Sequence, residues 1–159
     1  MKADQRQKIL FLSTRNSARS IFAEYFIRQI AGDRFEAYSA GSKPTGRVHS
    51  FVLRLLQDHY RIDAHEAHSK SWDVFSETRF DIIITVCERA RESCPRFPGQ
   101  PEIAHWNIAD PEEATGTDEE KLHKYRDVAQ QIQQRIYLLC AFPREKLGHL
   151  IVQHSGTQG

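Results

Sequence analysis

Three clusters in this sequence have residue types and spacings suited to chemistry: STRNSARS at residues 13–20, the pair Cys87 and Cys94, and the step Asp110-Pro111. The first stands between a short apolar run, residues 9–12, and a segment with helical periodicity, so it is a strand-to-helix loop. Helix N-termini offer free N–H groups and a partial positive charge, and so bind anions. A short loop wrapped before such a terminus gathers converging N–H donors into a nest. On that reading Thr14, Arg15, Asn16, Ser17, Ala18, Arg19 and Ser20 surround a tetrahedral oxyanion. The planar fork of Arg19 binds two of its oxygens at once. Asn16 and Ser17 brace the loop from inside, and Ser20 donates toward residue 13. The GxxxxGK[ST] pattern is absent, so a nucleotide is not the first ligand to expect. A plainer alternative stays open, a hydrophilic loop whose Ser and Asn only cap a helix.

Cys94 follows Cys87 by seven residues, and the intervening ERARES suits a helix. Two helical turns place both cysteines on one face, about 10 Å apart along the axis. A disulfide needs Cα atoms within about 7 Å, so this pair bonds only if the helix unwinds. The spacing alone favours one buried and one surface cysteine that have no relation. A zinc site with His105 lacks a fourth ligand and the usual CxxC spacing. Asp110 precedes a proline, which holds it extended; by itself that is also an ordinary turn before a helix.

The elements that must position these residues alternate. Residues 9–12 read as a buried strand, 35–40 as a second strand closed by Gly41, 80–86 (FDIIITV) as the clearest central strand and 103–108 as a weaker one. Ile21, Phe22, Tyr25, Phe26 and Ile30 mark one helix; Val48, Phe51, Val52, Leu55, Leu56 and Tyr60 mark another. A long helix over 118–139 carries Leu122, Tyr125, Val128, Ile132, Ile136 and Leu139 on one face, with Thr117 and Glu120 spaced as a capping box. Cys140, near Leu138, Leu139 and Phe142, reads as core. Alternation of this kind predicts an α/β domain with a parallel sheet and right-handed crossovers. Ligands in such folds bind at the carboxyl ends of the strands, where loops 13–20, 87–101 and 109–117 leave.

The chain has 159 residues, 40% hydrophobic and 27% charged, which fits a single folded domain rather than disorder. We read residues 1–143 as that domain and 144–159 as a fraying tail. Lys and Arg total 22 against 21 Asp and Glu, a net charge of +1, so a nucleic-acid footprint is not expected. No apolar run approaches the ~20 residues that span a bilayer, and MKADQRQK lacks a signal-peptide core. Three cysteines do not make a secreted disulfide framework. The expected location is the cytoplasm, where a cysteine pair is more often catalytic or redox-active than structural.

ILFLSTRNSARSIFAE resembles the signature of the low-molecular-weight protein tyrosine phosphatases and the related thioredoxin-coupled arsenate reductases. ITVCERARESCP resembles the redox segment of those reductases, and HWNIADPEEATGTDEE their general-acid segment. SAGSKPTGRVHS and HSKSWDVF are also similar, so the likeness covers about residues 8–142. It implies a three-layer α/β/α fold around a central four-stranded parallel sheet. It implies that Arg19 binds the oxyanion, that Ser20 steadies a thiolate at position 13, that Asp110 is the general acid, and that Cys87 and Cys94 form a relay. The partners it implies are arsenate or a phosphate-like oxyanion and thioredoxin; a monomeric chain and no cofactor are expected.

One position departs from the pattern. Ser13 stands where the family has its nucleophilic Cys. A thiol beside an arginine in such a nest is an anion at neutral pH; a serine hydroxyl needs an adjacent base, and no His lies in the loop. The resemblance therefore implies an arsenate reductase inactive as written, with two origins open: an inactivating replacement in otherwise intact machinery, or a natural serine in a binding-only relative. The phosphatases are the alternative activity, but they carry an aromatic soon after the Asp-Pro. Here Glu112, Glu113 and Ala114 follow, a negative rim that suits a small inorganic anion. Asn16, Glu24 and Ser39 match three of four potassium-binding positions of some family members. Lys70 stands at the acidic fourth, where its ammonium would replace the cation, and no metal is expected.

Overall fold

The computed structural model describes residues 6–141. The boundary expected at residue 143, the tail and Phe142 lie outside them. Four strands, β1 (Gln7–Ser13), β2 (Phe35–Gly41), β3 (Ile82–Thr85) and β4 (Glu102–His105), form one sheet in the order β2-β1-β3-β4. All three pairings are parallel. Four α-helices connect or follow them: α1 (Arg19–Ala31), α2 (Ser50–Asp58), α3 (Glu88–Ser93) and α4 (Asp118–Cys140).

β1 is buried on both faces because its side chains alternate between two cores. Ile9 and Phe11 point into the larger core, with Ile84 of β3, Phe22 and Phe26 of α1, Tyr125 and Ile132 of α4, and Trp106 just past β4. Leu10 and Leu12 point into a smaller one with Ile83, Phe80, Cys87, Ala90 and Phe97. The result is the expected three-layer α/β/α arrangement. One outer layer holds α1, α2 and α4; the other holds α3 and a single 3-10 turn (Trp72–Phe75), where no element was expected. Among the described residues no helix is long and apolar enough to cross a membrane.

Strand boundaries shrink where side chains serve packing. Phe80 precedes β3 and meets Phe75, Tyr38 and Phe97 edge-on rather than pairing in the sheet. The expected strand at 103–108 ends at His105, and Ile103 is 53% exposed because β4 is the sheet edge. Cys140 is half-buried against the core rather than within it.

The strand order reverses between β1 and β3. α1 carries the chain from β1 to β2 at one edge of β1, and the stretch through α2 and the 3-10 turn brings it back to β3 at the other edge of β1. Such a switch point leaves a crevice outside the carboxyl ends of the two strands. The crevice lies between Ser13, the last residue of β1, and Cys87, just past β3.

At the start of α4, the Thr117 hydroxyl accepts from the Glu120 amide and the Glu120 carboxylate accepts from the Thr117 amide, so the capping box is formed in both directions. Replacing Thr117 by Ala removes one half of it and is expected to cost about 1 kcal/mol. Urea unfolding should show the loss as a lower midpoint at unchanged slope.

Candidate oxyanion site

Peptide geometry shapes the loop after β1. The carbonyls of Ser13, Thr14, Arg15 and Ser17 accept hydrogen bonds from the amides of Ser42, Lys43, Thr45 and His49, at 2.8–3.2 Å. Ser69 Oγ gives the Arg15 carbonyl a second donor at 2.8 Å. In a trans peptide the following N–H points the opposite way from the carbonyl. Strapping the carbonyls to residues 42–49 therefore turns the amides of residues 14, 15, 16 and 18 inward. The Asn16 amide lies 3.1 Å from Ser13 Oγ, which marks the centre of the loop. Gly41 is required beside it, because a Cβ there would come within 2.5 Å of the Thr14 carbonyl oxygen.

Asn16 is fully buried and holds φ 50°, the left-handed region that asparagine tolerates best after glycine. Its amide nitrogen donates to Ser20 Oγ at 2.8 Å and Ser39 Oγ at 3.0 Å, and its oxygen accepts from the Lys70 amide at 2.9 Å. Ser13 Oγ and Ser20 Oγ are 2.8 Å apart. Asn16 thus sits inside the loop and Ser20 Oγ faces residue 13, whereas Ser17, expected to brace the loop from inside as well, directs its Oγ to Glu112 at the rim. The plainer alternative does not describe the loop, since the N-cap of α1 is Ala18, with no side-chain cap.

Arg19 enters α1 with its side chain 13% exposed. Its Nη1 donates to the carbonyls of Ile108, at 3.0 Å, and Val86, at 3.4 Å, and its Nη2 lies 3.6 Å from Asp110 Oδ2. The arginine therefore ties the ends of β3 and β4 to the loop. Asp110 caps the 3-10 turn (Pro111–Glu113) with one oxygen, which accepts from the Glu112 amide at 2.9 Å. Its other oxygen faces Arg15 and Arg19, each at 3.6 Å.

Ser13, the loop, Arg19, Cys87 and Asp110 all line one cavity of about 440 Å³. Cys87 is 8% exposed, and its Sγ lies 3.1 Å from Thr14 Oγ1. Cys94 is not in the cavity. It ends α3, half-buried, where burial pushes its thiol pKa up. Neither cysteine is in a disulfide. Only Ala90 of α3 is buried. Phe97, three residues past Cys94, is 4% exposed against Phe80, and turning it out would cost about 2 kcal/mol.

The rim is mixed rather than negative. Glu112 pairs with Arg15, whose pKa that hydrogen bond raises further, and accepts from Ser17 Oγ at 3.3 Å. Lys43 and Arg89 stand on the rim with Glu88 and Glu113. Sequence could supply these charges but not the partner of each, because Arg15 and Glu112 are 97 residues apart. Among the described residues no aromatic side chain lines the cavity.

The cation-site positions also come together, with a different pairing. Ser39 Oγ donates to Glu24 Oε1 at 2.6 Å, and the other oxygen of Glu24 meets Arg28 Nη2 at 2.5 Å. Arg28 thus takes the role expected of Lys70, whose ammonium donates to the His68 carbonyl at 3.0 Å and whose pKa burial pushes down. Among the described residues no group of three or more His, Cys, Asp or Glu gathers as metal ligands.

The inward amides and Arg19 do not depend on a thiol. Phosphate at low salt is therefore expected to shift the amide resonances of residues 13–20 in the chain as written. Arg19→Ala should weaken that binding at least about tenfold, the loss of a charge-assisted hydrogen-bond pair. Unmoved amides in the native chain would remove the site.

The comparisons with known proteins agree with this geometry. The family described as low molecular weight phosphotyrosine protein phosphatase matches residues 8–148. An arsenate reductase of Halalkalibacterium halodurans is 36% identical over 131 residues, covering 82% of this chain and 93% of that protein. Among solved structures, an arsenate reductase from Archaeoglobus fulgidus superposes with a TM-score of 0.68 at 32% identity, over 84% of this chain and 99% of that one. A thioredoxin-dependent arsenate reductase of Corynebacterium glutamicum superposes with a TM-score of 0.59 at 26% identity, over 86% of this chain and 65% of that one. With a family match over most of its length and a relative above 30% identity, this chain belongs to the low molecular weight phosphotyrosine protein phosphatase family, on the side where its relatives are arsenate reductases.

Proposed function

We propose that this chain is an arsenate reductase scaffold that binds a tetrahedral oxyanion in loop 13–20 and whose turnover is blocked at Ser13. One observation carries the proposal: Ser13 Oγ, the Cys87 thiol, Arg19 and Asp110 line the same cavity. Ser13 has Ser20 Oγ and the Asn16 amide as hydrogen-bond partners, neither of which is a base that could activate a hydroxyl.

With a thiol at position 13 the chemistry closes. The thiolate attacks arsenate held by the loop amides and Arg19, and Asp110 protonates the departing oxygen. Cys87 thiolate then attacks the sulfur at position 13. The sulfur–arsenic bond breaks, its electron pair stays on arsenic, and arsenite leaves. Two thiolates have become a disulfide as As(V) becomes As(III). Cys94 attacks Cys87 next, freeing position 13 and moving the disulfide to α3. A dithiol reduces it by thiol–disulfide exchange. Thioredoxin is the proposed dithiol, a choice supported by the thioredoxin-dependent relative from Corynebacterium glutamicum. Because Cys94 lies outside the cavity, the third step requires residues 88–94 to unwind. The absence of an aromatic from the cavity lining and the charged rim favour a small inorganic anion over an aryl phosphate.

Ser13→Cys is expected to switch on continuous arsenate reduction with thioredoxin, thioredoxin reductase and NADPH, while the chain as written stays at background. Arsenite release is the readout. Equal turnover by both proteins would contradict the role given to position 13. Aryl phosphate hydrolysis without arsenate reduction in Ser13→Cys would favour the phosphatase reading.

A further inference from the structure

Asp110 uses its two carboxylate oxygens differently. Oδ1 accepts from the Glu112 amide at 2.9 Å, which caps the turn and fixes the carboxyl group. Oδ2 accepts no hydrogen bond among the described residues. The guanidinium nitrogens Arg15 Nη1 and Arg19 Nη2 each stand 3.6 Å from it, beyond hydrogen-bond length. The neighbouring Glu112 has no oxygen left over in this way, since one accepts from Ser17 Oγ and the other pairs with Arg15. Arg19 complements Asp110: its Nη1 serves the carbonyls of Val86 and Ile108, and its Nη2 is left for a ligand. Both residues line the cavity above loop 13–20. An anion oxygen held there by Nη2 therefore stands beside the open Oδ2.

A carboxylate oxygen and a bare oxyanion oxygen only accept, so side by side they repel. With one proton between them they form a charge-assisted hydrogen bond. Hydrogen arsenate and hydrogen phosphate bring that proton. Sulfate has the same charge and tetrahedral shape as hydrogen phosphate but carries no proton near neutral pH. A bound sulfate would face Oδ2 bare, or Asp110 would have to take a proton from water. The loop amides and Arg19 make no such distinction, because N–H donors serve any oxyanion alike.

We propose that Asp110 is a specificity-determining residue of the oxyanion site: its Oδ2 accepts the hydroxyl of a proton-bearing tetrahedral oxyanion and turns sulfate away. The proposal rests on the reading of loop 13–20 and Arg19 as the groups that hold the anion, and adds a choice among anions. Selection works by repulsion as much as by attraction, since the wrong anion leaves two acceptors unpaired. The shared proton belongs to the pair of oxygens rather than to either one. Accepting it on binding therefore does not oppose the acid role of Asp110.

The test titrates the chain as written with sodium phosphate and with sodium sulfate, at about pH 8 and matched ionic strength, and reads the amide resonances of residues 13–20. Both anions are then dianions that differ by the proton. Phosphate should bind about 10- to 100-fold more tightly, the worth of a charge-assisted hydrogen bond against an unmade one. In Asp110→Asn the side-chain oxygen stays on the Glu112 amide, because an NH₂ there would meet another donor. The NH₂ group then replaces Oδ2, and sulfate should bind at least as tightly as phosphate. Glu113→Gln removes a charge from the same cavity away from Oδ2 and should leave the ratio of the two affinities as in the native chain. Equal affinities in the native chain would overturn the proposal. So would a phosphate preference that survives in Asp110→Asn, or one that Glu113→Gln abolishes equally. Those results would leave the anion site standing, whereas failure of both anions to bind would remove site and proposal together. The reductase reading is judged separately, by Ser13→Cys turnover.

Discussion

The Asn16 side chain fixes the shape of the anion loop, and most of the candidate site depends on it. A buried amide left unpaired costs about 1–3 kcal/mol per group, so Asn16 is tolerated at the centre of the domain only with its partners in place. Those partners are Ser20 on α1, Ser39 on β2 and the Lys70 backbone, three separate parts of the chain. Each bond fixes an element relative to the loop. The left-handed backbone at Asn16 then turns the chain between Ser13 and Arg19. Buried networks of this kind are stable only when fully satisfied, which makes the loop a single unit rather than a set of flexible donors.

From that unit outward the site is assembled by topology. The reversal of strand order between β1 and β3 places Ser13 across a crevice from Cys87. Arg19 spans the same crevice by holding the carbonyls of Val86 and Ile108, so the ends of β3 and β4 share one guanidinium. Asp110 approaches through the same arginine. The loop is held by buried hydrogen bonds to three parts of the chain, while α3 is a six-residue helix with one buried side chain. A fixed binding unit beside a lightly anchored helix suits a reaction in which the anion stays and a cysteine must travel. The packed Phe97 limits that travel, because it anchors the chain just beyond Cys94.

Much of this was legible in the sequence. The apolar run at 9–12, the FDIIITV strand and the Thr117–Glu120 pair give elements close to those observed, since each carries a strong local signal. Asn16, Ser20, Arg19 and Asp110 were expected from loop chemistry and the family resemblance, and the structure places them together at the candidate site. Long-range pairing was not legible. Neither the strap over residues 42–49, nor the bond between Arg15 and Glu112, nor the pairing of Glu24 with Arg28 has a local pattern to betray it. His105 was weighed only as a metal ligand; its place beside Glu88 follows from the register of β4 on β3 and the start of α3, which sequence does not state.

Disulfide mapping separates a relay blocked at Ser13 from a chain that has no relay. The protein for this carries Ser13→Cys to supply the first thiol and Cys94→Ser to stop the relay after its second step. Given arsenate in a single turnover, it should release arsenite in step with a disulfide joining position 13 to Cys87, located by peptide mass spectrometry. The same protein with Ser13 retained should form no such bond and release no arsenite. Arsenite released without that disulfide, or a disulfide that takes Cys140 in place of Cys87, would contradict the account.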